Sequence, residues 1–174
     1  MPFSLYDATV ANYVQTLGAL SSVLERGLAY CQEKTISPHE FVESRLTHDM
    51  LPLRFQIISA AHHSLGALEG VKAGLFLPPK ANDGLDYPGL QALISDTLTK
   101  LQNLSREEVN TLEGRDVVFQ LGERRMPFVG QDFLMSFSLP NFYFHATTAY
   151  DLLRMKGVPL GKRDYLGRPR LKTS

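Results

Sequence analysis

Two segments of the chain carry polar side chains at spacings that could support chemistry. In "DMLPLRFQIISAAHH", Asp49, Gln56 and His63 stand seven apart. On a helix each heptad drifts by only about 20°, so these three would share one stripe. In "LPNFYFHATTAYDLLR", Asn141, His145 and Thr148 recur at spacings of four and three, and Leu152 continues the row four residues later. Imidazole and carboxylate together suit zinc, nickel, iron or manganese, with Asn or Gln able to orient the ligands from outside. Two such stripes can converge where helices face each other, which is where helical bundles build metal and ligand sites.

Each residue also has a plainer reading. Asp49 precedes a helix start, where free N–H groups need an acceptor, so it is equally a helix cap. His62 and His63 are adjacent and therefore about 100° apart on a helix, so at most one faces a given site while either could be surface or interface. His145 is flanked by Phe142, Tyr143 and Phe144. It is either a core histidine or a site residue, and in both cases a buried imidazole needs partners for its nitrogens. Tyr6 and Tyr13, seven apart, read as core or as lining one cavity. Nucleophilic catalysis has little support: Cys31 has no His at readable spacing, and no Ser sits in a G-x-S-x-G turn. Walker, G-x-G-x-x-G and CxxC motifs are missing too.

Long helices must position these residues. Val10, Val14, Leu17, Leu24 and Leu28 recur with helical spacing and predict a helix from about Ser4 to Gln32. "SPHE" has the capping-box form and predicts a short helix from Ser37 to Arg45. A second long helix is expected over 49–69, followed by a Gly- and Pro-rich loop, and a third over 88–104. "SREE" at Ser105 is another capping box. "DVVFQLGERRMPFV" predicts a β-hairpin turning on Gly122-Glu123, pairing Leu121 with Arg124, Phe119 with Met126 and Val117 with Phe128. The last helix is expected over 131–156, kinked at Pro140. The fold class is therefore all-α, four long helices with a small hairpin before the last one. Residues 157–174 are expected to form an extended tail of the single 1–174 domain, either solvated or lying along a partner subunit.

Composition excludes some partners. Eighteen basic residues balance eighteen acidic ones, leaving no global field for nucleic acid or an anionic membrane. The single Cys31 cannot make an internal disulfide, and "MPFSLYDATV" lacks the basic start and apolar run of a signal peptide, so the expected location is cytoplasmic. Between Phe133 and Tyr150 there is no formal charge, but Ser136, Ser138, Asn141, His145, Thr147 and Thr148 would face lipid unsatisfied. A buried helix is expected there, not a membrane span.

The helix pattern, the hairpin and the ending "LLRMKG" resemble the DinB/YfiT-like superfamily of proposed metalloenzymes. "SLYDATV", "DMLPLRFQ", "LPNFYFHATTAYDLLR" and "GVPLGKRDYLG" look like its uncharacterised branch, a domain of unknown function, over nearly the whole chain. The resemblance implies a four-helix bundle that commonly pairs as a homodimer. It also implies a metal held by a His on the second helix and an H-x-x-x-H on the last. Matching "LLRMKG" puts the second His of that pair at His145 and the first at Asn141, with Gln56 at the second-helix position. Amides are weak metal donors beside imidazole, so a retained divalent zinc, nickel or iron would need His145, Asp49 and His63. Two expectations follow from the resemblance. One is a degenerate metal site that binds a small molecule in a polar pocket of His145, Asn141, Gln56 and Thr148. The alternative is a metal-dependent thiol transferase or hydrolase.

Overall fold

The computed structural model describes residues 3–80 and 84–172. Helix α1 (Leu5–Ala8) is one turn, separated by Thr9 from the 25-residue α2 (Val10–Lys34). The first long helix is thus broken where it was expected to run through. At the break the Thr9 hydroxyl donates to the Leu5 carbonyl at 2.6 Å. Helix α3 (Pro38–Val42) follows, ending before the expected Arg45. Helix α4 (Leu53–Ala61) passes through a wide π-helical turn, His62–Gly66, into α5 (Ala67–Ala73). Helix α6 spans Tyr87–Gln102, capped by the Asp86 carboxylate on the Gly89 N–H, and α7 (Arg106–Asn110) carries the reciprocal Ser105–Glu108 capping box. A short α8 (Gly130–Asp132) leads through a second π turn, Phe133–Ser138, into α9 (Leu139–Met155), and α10 (Lys162–Leu166) follows.

Helix α2 packs on α6 and α9, and α4 packs on α9 and α6. Their facing residues form the core, with Tyr13, Leu17, Leu24, Leu53, Ile57, Leu90, Ile94 and Phe142 all buried. At mid-core the Tyr87 hydroxyl donates to the Leu24 carbonyl at 2.9 Å, directly over Gly27, where a Cβ would lie 2.2 Å from the tyrosine oxygen. Among the described residues no helix is long and apolar enough to cross a membrane.

The hairpin has the expected register: β2 (Asp116–Leu121) pairs antiparallel with β3 (Arg124–Val129), Val117 opposite Phe128 and Phe119 opposite Met126. Its turn places Gly122 at φ +58°, a conformation glycine adopts without strain. The sheet is larger than the hairpin. Within the segment expected to be loop, β1 (Leu75–Phe76) joins β2 in parallel, Phe76 opposite Phe119. That pairing puts Phe76 against Phe133 at 5.1 Å and Phe119 at 6.0 Å between ring centroids. Such ring contacts add about 0.5–1.5 kcal/mol each beyond area burial. They tie the sheet to the helices that carry the histidines.

The C-terminal segment also differs from expectation, because it packs on its own chain. Arg26 binds the Asp164 carboxylate and the Pro159 carbonyl, Gln15 donates to the Leu166 carbonyl, and Arg170 donates to Asn12 Oδ1. Gly167, at φ +64°, lies so close to α2 that a Cβ there would sit 3.0 Å from that of Ala19.

Candidate functional site

Two of the six candidates meet directly. His145, half-buried on α9, brings Nδ1 to 2.8 Å from Gln56 Oε1 on α4, while the same Gln56 amide donates through Nε2 to the Leu51 carbonyl at 2.8 Å. The second bond fixes the amide orientation. With its N–H group committed to Leu51, Gln56 presents a carbonyl to the ring, so His145 carries its proton on Nδ1 and leaves Nε2 as a lone-pair acceptor. Edge contacts with Phe55 (5.9 Å) and Phe144 (5.3 Å) hold the ring in place.

His63 joins them. Its ring lies parallel to that of His145, centroids 5.7 Å apart and planes 18° apart, and touches Phe76 and Phe137. The residue is 6% exposed, and its Nδ1 is buried with no hydrogen-bond partner among the described residues. Burial first, then repulsion from His145 and His62, lowers the His63 pKa to about 3. Burial lowers that of His145 to about 4. Both imidazoles are thus neutral near pH 7. His62 turns outward, stacks on Phe76 at 4.4 Å and binds the Leu77 carbonyl at 2.7 Å. Only one of the adjacent pair faces the site, as their angular separation requires.

The π turns make this convergence possible. An i→i+5 turn widens the helix and frees carbonyl groups for outside partners. The Ser138 hydroxyl, closing the turn before α9, donates 2.6 Å to the His63 carbonyl in the turn after α4. This bond stitches the two irregular turns together beside the histidines. Pro140, expected to kink the last helix, lies just after the second π turn in helical backbone that runs unbroken from Phe133 into α9, so the change from π to α pitch falls beside this proline. Sequence reading missed Ser138; its one available signal was a small hydroxyl two residues before a proline in a buried helix.

Three candidates stand apart. Asp49 lies in an exposed turn before α4. Pro52 takes the N-cap position and no side chain among the described residues caps the helix, so Asp49 serves neither as the cap nor as a third ligand beside the histidines. Asn141 donates to the Phe137 carbonyl at 2.7 Å, and Thr148 to the Phe144 carbonyl at 2.8 Å, each one turn back on its own helix. Such local bonds compete with cross-helix contacts for short polar side chains. Among the described residues no three His, Cys, Asp or Glu side chains are grouped to hold a metal ion. The donors present, two imidazoles and an amide already engaged at both ends, do not fit a three-ligand metal centre. Cys31 is buried, with its thiol pKa raised by burial, and takes no part.

The helices, their order and the sheet define a DinB-like fold. The crystal structure of a DinB family member protein from Shewanella denitrificans matches with a TM-score of 0.80 and 26% identity, covering 98% of this chain and 96% of that one. More narrowly, the family model described as domain of unknown function DUF1993 matches residues 5–166, and the chain belongs to that family. No curated protein matches it.

Proposed function

We propose that this chain is a four-helix-bundle domain whose family metal site has become a hydrogen-bonded polar cluster, and that it binds a small molecule at His145. One observation carries the reading: Gln56 Oε1 accepts a hydrogen bond from the His145 Nδ1–H while its own amide N–H is tied to Leu51. His145 then offers a single function, the Nε2 lone pair, beside the rings of Phe55 and Phe144. A neutral aromatic or aliphatic ligand bearing one O–H or N–H donor matches that surface. His145 and Gln56 bind directly, Phe55 and Phe144 supply apolar contact, and Asn141 and Thr148 shape the wall of α9 without touching the ligand.

Phenol tests this, with anisole as the control that lacks a donor. Phenol is expected to shift the His145 ¹⁵Nε2 resonance saturably, and anisole to leave it in place; equal responses would refute the reading. The competing reading, a metal-dependent thiol transferase or hydrolase, draws on the stacked pair His63 and His145. Elemental analysis of protein purified without chelator separates the two. Substoichiometric zinc, nickel and iron are expected; a full equivalent that is lost in His145→Ala would overturn the proposal in favour of the metalloenzyme.

A further inference from the structure

A cavity lies apart from the buried histidines, where the C-terminal segment crosses α2. It has a volume of about 740 Å³, within the range of small-molecule sites. Its floor is one face of α2, with Val14, Gly18 and Ala19, and its far wall is the segment carrying Arg163, Arg168 and Arg170. None of its residues belongs to the His145 cluster.

Gly18 is the telling residue on the floor. A glycine inside a helix is destabilising relative to alanine, and a close neighbour often explains it. Among the described residues a Cβ at Gly18 would meet nothing within 4 Å. Packing therefore does not require the glycine. Its effect is to leave open volume over the middle of α2. This contrasts with Gly27 on the same helix, where the Tyr87 hydroxyl fills the space.

The wall has a definite charge. Asp164 lines the cavity, but its carboxylate is bound by Arg26 and by the Gly161 N–H, and its pKa is lowered. Arg170 is engaged with the Ala11 carbonyl and Asn12. The guanidinium groups of Arg163 and Arg168 have no hydrogen-bond or ion-pair partner among the described residues, and both residues are exposed at the rim. Two guanidinium groups over an apolar floor are complementary to one anionic head on an apolar body, because the planar fork of arginine matches carboxylate and phosphate oxygens alike.

We propose that this cavity is a binding site for an organic anion, a carboxylate or phosphate ester on an apolar body, held with the head at Arg163 and Arg168 and the body along Val14, Gly18 and Ala19. The segment from Gly161 to Arg170 is then one wall of a binding site.

Isothermal titration of the full chain with decanoate and with decyl phosphate, below micelle formation, tests it and shows which head is preferred. Decyltrimethylammonium reverses the charge, and inorganic phosphate removes the body. One of the two anions is expected to bind at least about tenfold more tightly than either control. Gly18→Leu, which fills the floor and raises helix propensity, is expected to weaken that binding by at least about tenfold with the melting temperature maintained. The pair Arg163→Gln with Arg168→Gln should weaken it comparably. The proposal is overturned if neither anion binds, if a control binds as tightly as the better anion, or if affinity survives either change. The phenol response at His145 is a separate readout, so failure here leaves that site's test independent.

Discussion

Acidification tests the buried imidazoles most directly. His63 and His145 are held neutral, with pKa values lowered to about 3 and about 4. The unfolded chain would protonate both near the ordinary value of about 6.5. Between those values the unfolded state binds more protons than the native one. The stabilising contribution is therefore complete above about pH 6.5 and is lost as pH falls from there toward the folded values. At pH 4.5 each group lies two units below its unfolded value, an upper limit of about 2.7 kcal/mol each at about 1.36 kcal/mol per unit. His145 is partly exposed and the two rings interact, so about 3 kcal/mol for the pair is the working figure. That is a large share of a typical domain's stability of about 5–15 kcal/mol. Urea denaturation at half-unit steps from pH 7 to 4.5 measures it. In His63→Phe, whose ring keeps the contacts with Phe76 and Phe137, the slope should fall by about 1 kcal/mol per pH unit. Parallel slopes in parent and variant, or an NMR titration midpoint for His63 near the ordinary value, would refute the reasoning.

Other substitutions probe the scaffold. Gln56→Leu leaves the His145 Nδ1–H and the Leu51 carbonyl without their partner and is expected to cost about 1–3 kcal/mol by chemical denaturation, with the His145 tautomer shifting in ¹⁵N spectra. Ser138→Ala removes the bond between the two π turns and should cost a similar amount, about 1–3 kcal/mol, by thermal denaturation. Gly130→Ala is expected to be the most damaging, because the new Cβ would lie 2.6 Å from the Leu112 carbonyl oxygen and 2.9 Å from Val71 Cγ1. A melting temperature within a degree or two of the parent would contradict the tight junction between β3 and α8. Gly27→Ala must displace the Tyr87 hydroxyl from the Leu24 carbonyl, and should lose about as much stability as Tyr87→Phe or more.

The helices were legible in the sequence because their apolar residues repeat at the helical period, and the hairpin because Gly122-Glu123 leaves only one register that puts Val117, Phe119, Met126 and Phe128 on one face. Strand β1 was not, since two residues in a glycine- and proline-rich stretch have no period, and their partners Val118 and Phe119 lie more than forty positions away. Gln56 and His63 share one stripe, as their spacing of seven indicated, and that stripe faces His145 of the last helix. Asp49 shared that spacing but not the helix, because Pro52 fixed the start of α4 beyond it. Asn141 and Thr148 shared the stripe of His145, yet their short side chains found carbonyls on their own helix before they could reach α4. Hydrogen-bond competition of this kind leaves no mark on residue spacing.

The paired π turns bear on how such a site changes over generations. Each holds its helix one residue out of α register, and one residue is worth about 100° of rotation. A single-residue deletion within Phe133–Ser138 would turn everything downstream on α9, His145 included, by roughly a quarter of a circle relative to α4. In this architecture one codon gained or lost inside a helix can swing an imidazole toward its neighbours or away from them. Descendants of the same scaffold can thereby lose, restore or relocate a site while keeping every helix, provided the α9 face that now buries Phe142, Ala146 and Leu152 repacks.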